Sequence, residues 1–369
     1  MRVISLFTTL SELAYRLHIT NFLNMDQTSS GASTQFDFMA IGDTVIDDFI
    51  RINKASMIRT ENSEGVVDDE LCFPSGAKIP YEFHAILAGV GNAANAAVSA
   101  SRLGLKSGLI ADVGDEERGQ DVLKELKKNN VNTDYVKVNA GKITNFHYVL
   151  WHGAERTILI KHEEYAYKMP DVGSPKWLYF SSVGDNSLPY HVEIAEYLKS
   201  HPETRLAFQP GTFQIKLGTE VLKDLYAHTE IFFCNVEEAR LILKTNEPNP
   251  AKLGKLMCTL GPKISVITDG PKGAYAYDGN TGKTFFMPPY PDPKPPYERT
   301  GAGDACASTI TIALALGLPF ETALAWGPIN SMSVVQYVGA QEGLLSREAL
   351  EKLLADRPEN YVATEVNID

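Results

Sequence analysis

From Trp177 onward, short apolar runs alternate with stretches of helical character, and this alternation constrains the fold more than any other feature of the chain. Residues 177–181, 206–209, 231–235 and 264–268 are too uniformly apolar to have one face in water. Helical segments near 191–199 and from Val236 separate them. Strands buried on both faces belong to a parallel sheet with helices packed on each side, so the sequence predicts an α/β fold. Upstream, 36–41 reads as a buried strand ending in Gly42-Asp43, with further strands at 46–52 and 107–113. An Ala-rich helix is predicted over 89–103, capped by Gly104, and another over 119–129. Two hairpins are expected, 147–150 with 157–160, and one turning at Asp278-Gly279. The segment 53–81 is long, polar and irregular, the character of a lid or binding loop.

Bulk properties narrow the function. With 369 residues, 44% hydrophobic and 22% charged, the chain has the composition of a globular protein with a sizeable core. A formal net charge of -12 argues against nucleic acid as a partner, because phosphate backbones need clustered cations. One nucleotide held by backbone N–H groups remains compatible with it. Cys72, Cys234, Cys258 and Cys306 form no C-x-x-C pair and read as free, mostly buried thiols in a reducing, cytoplasmic setting. Residues 1–23 are fairly apolar, but Glu12 and Arg16 interrupt them, so neither a membrane span nor a signal peptide is predicted. Residues 1–34 are set apart as an extension, either genuine or translated upstream of a native start at Met25.

The informative stretch is Thr300-Gly301-Ala302-Gly303-Asp304-Ala305. A proline-dense approach over 288–296 ends there, two glycines permit a tight turn, and an apolar helix begins at once. N–H groups at a helix start lack intrahelical partners and carry positive potential, which makes an anion site. A carboxylate in the same turn suits proton abstraction from an incoming hydroxyl. Its bland alternative is a helix-start preference with no chemistry.

In this setting the chain resembles the ribokinase-like, or PfkB, carbohydrate kinases over residues 36–354. Thr300-Gly301-Ala302-Gly303-Asp304 is similar to that family's C-terminal signature. Gly91-Asn92-Ala93-Ala94-Asn95-Ala96 with Arg102-Leu103-Gly104 resembles the N-terminal one, although Val90 stands where its first glycine is usual. Val113-Gly114-Asp115-Glu116 with Gly119, Asn235-Val236-Glu237-Glu238-Ala239, and Thr268-Asp269-Gly270 with Lys272-Gly273 resemble three further elements, in the right order. The resemblance implies a three-layer fold over 35–360, with a central, mainly parallel sheet and a small β-rich lid made by 53–81 and 145–161. It implies ATP-dependent transfer to a sugar hydroxyl, with Asp304 as base and Gly301, Ala302 and Gly303 forming the anion hole. Asp47, Gly91 and Asn95 would bind the acceptor, Asp43 being the lesser candidate beside Asp47. Asn235, Thr268, Gly270, Gly273 and Asn330 would border the nucleotide, and Glu238 would help hold hydrated Mg2+. A monovalent cation such as K+ serves many relatives, but Glu298 and Arg299 replace the usual Asp-Thr. Arg299 reads either as a phosphate contact or as a surface salt bridge. A homodimer paired through the lid is expected.

Three other readings stand beside this one. A nucleoside kinase of the same fold would stack its base on lid aromatics such as Phe146, Tyr148, Trp151 and Tyr165. A dinucleotide-dependent dehydrogenase would use Gly89-Val90-Gly91-Asn92-Ala93-Ala94, but that turn sits late, after the lid-like segment. A non-catalytic sugar sensor would not need the intact Gly-Ala-Gly-Asp turn.

Overall fold

The computed structural model describes residues 36–53, 55–61, 67–153 and 155–368. The predicted extension over 1–34 lies outside the described residues, as do 54 and 62–66 of the predicted lid segment and 154 of the hairpin.

Among the described residues the main sheet has ten strands. Seven run parallel, in the spatial order β7 (Val136–Asn139), β6 (Ser107–Gly114), β1 (Phe38–Ile41), β10 (Trp177–Phe180), β11 (Arg205–Phe208), β12 (Thr229–Asn235) and β13 (Ile264–Thr268). Three antiparallel strands, β14 (Ala274–Asp278), β15 (Lys283–Met287) and β16 (Thr364–Glu365), extend it on one side.

The uniformly apolar strands have two buried faces. Phe38, Ala40, Tyr179, Ala207, Ile231, Phe233 and Val266 point into one core, and Met39, Ile41, Leu178, Phe180, Leu206, Phe208, Phe232 and Ile267 into the other. Helices α1 (Asn92–Arg102), α2 (Glu117–Lys128), α8 (Ala302–Ala315), α9 (Phe320–Val334) and α10 (Arg347–Ala355) cover the first face. The second is covered by α3 (Leu188–Ser200), α4 (Thr212–Leu217), α5 (Lys223–Ala227), α6 (Val236–Leu243) and α7 (Pro250–Cys258). The alanines of α1 are fully buried, and their small side chains let its backbone lie close to the sheet and to α8.

A separate four-stranded sheet has the order β5 (Phe83–Val90), β2 (Val45–Arg51), β8 (Phe146–His152), β9 (Glu155–Leu159). The hairpin predicted around 145–161 is β8 and β9. Among the described residues the segment 53–81 forms its own two-stranded antiparallel sheet, β3 (Ser56–Glu61) with β4 (Val67–Cys72). The lid sheet instead recruits β2 and β5. The helix predicted from Gly89 begins at Asn92, because β5 runs on through Val90 and Gly91, at φ +107°, is the helix N-cap.

Candidate active site

A cleft of about 440 Å³ opens at the carboxyl ends of the parallel strands, between the main sheet and the inner face of the lid sheet. Connections leaving parallel strands at this edge diverge, which is why open α/β sheets bind ligands here. Gln209, Asn235 and Thr268 mark the ends of β11, β12 and β13 in its floor, and Asp47, His147 and Arg156 come from the lid.

Asp304 sits at the start of α8 and faces the cleft. Its Oδ1 accepts hydrogen bonds from Asn92 Nδ2 at 2.9 Å and Gln209 Nε2 at 3.2 Å, and its Oδ2 from Asn95 Nδ2 at 2.8 Å. Tyr179, buried beneath, donates its hydroxyl to Gln209 Oε1, which orients that amide with its NH2 toward the carboxylate. Burial pushes the Asp304 carboxyl above the ordinary aspartate range, while Asn95, Gln209, the nearby Arg156 charge and Asn92 pull it down. The net effect is upward, so burial raises the basicity of this carboxylate against the pull of its donors.

The turn beneath is built by two glycines with different reasons. Gly301 adopts φ +80°, and a Cβ on it would lie 2.3 Å from Ala340 Cβ. Gly303 has no such constraint, since a Cβ there would meet nothing nearer than Gln209 Nε2 at 3.9 Å. Glycine at 303 therefore leaves room above the helix start. The Ala302 N–H turns back toward Arg299 O at 3.5 Å, a long contact, while the N–H groups of Gly303 and Asp304 belong to the first helical turn, where intrahelical partners are lacking.

Glu298, expected only as a departure from the usual pattern, proves to be a structural carboxylate. It is 1% exposed and accepts from Thr300 N at 2.7 Å, from the Thr300 hydroxyl and from Gly339 N at 3.4 Å. The lid residue Arg156 brings its Nε within 3.8 Å of it.

Beyond the turn a second, largely apolar slot of about 240 Å³ lies against Thr268, Gly270, Gly273, Tyr290, Pro328 and Met332. Thr268, Arg299 and Gly303 line both spaces, so the slot and the cleft meet at the Asp304 turn.

The structure sorts the predicted residues. Asp304, Gly301, Gly303, Asp47, Gly91, Asn95, Asn235, Glu238 and Thr268 line the cleft, and Ala302, Gly270 and Gly273 the slot. Asn95 is partly committed to protein partners, its Oδ1 accepting from Gln341 Nε2 at 3.0 Å and one hydrogen of its Nδ2 going to Asp304. It positions the carboxylate. Asn330 is excluded from the nucleotide slot: it is fully buried, donates to Thr309 Oγ1 at 2.8 Å and accepts from Leu345 N at 2.9 Å. Asn235 and Glu238 form a capping box on α6, Asn235 Oδ1 accepting from Glu238 N at 2.8 Å and Glu238 Oε2 from Asn235 N at 3.0 Å. Burial raises the Glu238 carboxyl above its ordinary range. Asp43 is spent on protein partners, Tyr167 OH at 2.9 Å and His162 Nδ1 at 2.8 Å. The aromatics proposed to stack a base do not line the cleft: Trp151 and Tyr165 are core residues, and Phe146 and Tyr148 face a pocket with Arg118 on the other side of the lid sheet. Sequence reasoning missed Asn92, Gln209, His147 and Arg156. Asn92 was inside a quoted motif; the other three stand in no motif and reach the site only through tertiary packing.

An apolar slot and a polar cleft meeting at one basic carboxylate define an enzyme that moves a group between two small ligands. The model of the pfkB family carbohydrate kinases matches residues 84–347. The chain is 27% identical over 273 residues to the ribokinase of Bacillus subtilis, covering 72% of this chain and 87% of that one. It is 25% identical over 283 residues to the 5-dehydro-2-deoxygluconokinase of the same organism, covering 72% and 86%. The Arabidopsis thaliana ribokinase solved with ribose and ATP superposes with a TM-score of 0.71 at 17% identity, over 86% of this chain and 98% of that one. A Methanocaldococcus jannaschii nucleoside kinase gives 0.67 at 18%, over 87% and 99%. The chain belongs to the pfkB family of carbohydrate kinases, and its fold is that of the ribokinases.

Proposed function

We propose that the protein transfers the γ-phosphoryl group of ATP to a hydroxyl of a sugar. The observation that carries this reading is Asp304, held by three side-chain amides where the apolar slot meets the polar cleft. The adenine would occupy the slot by Thr268, Gly270 and Gly273, and the acceptor the cleft between Asp304 and Asp47. In that arrangement the acceptor hydroxyl gives its proton to Asp304 as its oxygen bonds to phosphorus and the bond to ADP breaks. The N–H groups of Gly303 and Asp304, with the dipole of α8, stabilise charge on the group in flight. The relatives support ATP and a sugar, since one is a ribokinase solved with both ribose and ATP.

Glu238 suits hydrated Mg2+, because the capping box uses only Oε2 and leaves Oε1 without a hydrogen bond among the described residues. The ion would neutralise phosphate charge there while keeping most of its waters. A monovalent cation fits less well, for the Glu298 carboxylate is already bonded to its own turn and faces Arg156. A sugar is favoured over a nucleoside because the proposed base-stacking aromatics lie outside the cleft. The exposed apolar side chains Ile86, Tyr148 and Leu159 on the outer lid face support a homodimer. Among the described residues no helix is long and apolar enough to cross a membrane, and four free thiols support a cytoplasmic setting.

The test is ADP release with ATP, Mg2+ and a panel of sugars and nucleosides, comparing wild type with Asp304→Asn. Loss of a general base lowers kcat by about 10² to 10⁴. Equal turnover by both proteins would remove Asp304 from its role.

A further inference from the structure

Buried polar atoms in folded proteins almost always have partners, so those left without one in a cleft indicate what a ligand supplies. On the inner lid face two such atoms lie together: Asp47 Oδ1 and His147 Nε2 are shielded from water and make no hydrogen bond. Asp47 and His147 are register partners in the parallel pairing of β2 with β8. His147 Nδ1 stands 3.2 Å from Asp47 Oδ1, close but without hydrogen-bond alignment. The contrast with Asp43 is informative, because that carboxylate is nearby yet satisfied by Tyr167 and His162. His162 packs beside the pair, its ring 5.3 Å from that of His147.

We infer that His147 is an acceptor-binding residue which, with Asp47, selects an uncharged sugar end presenting two neighbouring hydroxyls. The inference rests on the phosphotransfer reading of the cleft. With Nδ1 on the side of Asp47, electrostatics favours the neutral tautomer that keeps its hydrogen on Nδ1, without completing a hydrogen bond to Oδ1, and leaves Nε2 an acceptor. Asp47 Oδ1 is an acceptor too. Two acceptors side by side require two donors, and a diol supplies them. A carboxylate or phosphate at that end of the substrate has no hydrogen to give to these two acceptors and is repelled by Asp47, whereas the cations of the cleft, Arg156 and Arg299, stand by Glu298 and the Asp304 turn. Leaving either buried acceptor unmet is costly, so a substrate lacking one hydroxyl is discriminated against strongly. The residue sits in no motif of the sequence, and its role follows only from its register against Asp47.

The experiment compares wild type with His147→Ala and His147→Phe, the latter keeping the ring volume if the former folds poorly. Acceptors are ribose, its single-deoxy isomers and a sugar acid, or the corresponding forms of whichever neutral sugar is turned over. The expected result is a rise of about tenfold or more in acceptor KM with ATP KM unchanged. For one deoxy isomer, wild type and variant should have the same KM, because the hydroxyl that His147 reads is already gone. The sugar acid should be a poor substrate for wild type. An unchanged acceptor KM, an equal rise for every isomer, or preference for the acid overturns the inference while leaving the kinase reading intact. No turnover by wild type with any acceptor overturns the kinase reading and this inference with it.

Discussion

Asp304 is governed by opposed effects of similar kind. Withdrawal from water favours its protonated form, and three amide donors favour the ionised one. Removing a donor shifts the balance upward. Gln209→Ala should move the acidic limb of the kcat/KM profile to higher pH by about one unit, since one hydrogen bond to a charged group is worth roughly that much. An unmoved limb would show that Gln209 does not tune the base. A second titration concerns stability. Burial holds His191 down at about 4, its Nδ1 bonded to Ser187 O at 2.7 Å. The folded state therefore requires the neutral ring, and between about pH 6.5 and 4 the unfolded chain takes up a proton that the fold refuses. Stability contributed above that window is lost as pH falls through it, on the order of 3 kcal/mol in total. Thermal unfolding should show this loss, and His191→Gln should flatten it.

At the scale of elements, the start of α8 separates folding from chemistry within three residues, Gly301 at its N-cap and Gly303 in its first turn. Gly301→Ala forces a Cβ against Ala340 in a left-handed backbone and should cost about 1–3 kcal/mol, seen as a lower Tm. Gly303→Ala meets no comparable neighbour and should keep its Tm. It should lose activity instead, because the new methyl stands where the transferring group must approach. A Gly303→Ala protein with full kcat would count against that approach. The lid is tied to the same turn, Arg156 on β9 facing the buried Glu298 that fastens Thr300 and Gly339. Lid position and turn order are thus linked by a contact between sequence segments far apart.

For the whole molecule, the sheet with two buried faces gives a rigid floor, and the lid sheet walls one side of the cleft. The outer lid face carries Tyr148 at 45% exposure and Leu159 at 52% as register partners on β8 and β9, and Ile86 at 57% on β5, with Asp48 of β2 in register between Ile86 and Tyr148. Apolar side chains so exposed are favourable when a partner surface covers them. If a second copy covers them, Tyr148→Glu should shift the protein from dimer to monomer in light scattering with little change in Tm. An unchanged mass would remove the lid as the contact.

Sequence alone determined the layered α/β architecture and the Asp304 turn, because apolar periodicity and glycine chemistry are local properties. β10 to β13 lie close to their predicted places for that reason. Local pattern also carried the β8–β9 hairpin, but not the partners of that hairpin. Strand β2 is legible in the sequence at 46–52, but β5 is half-exposed and weakly patterned, and the pairing of both into the lid sheet is a long-range event. The same limit applies within the site. Asn330 and Asn95 have the chemistry to touch a ligand, and only packing showed that Asn330 is buried on Thr309 and Leu345 and that Asn95 already bonds Gln341 and Asp304. Gln209, Arg156 and His147 entered the cleft through strand order and register, which no local stretch of sequence encodes. Residue type sets what a side chain can do, and tertiary structure decides which partners have already claimed it.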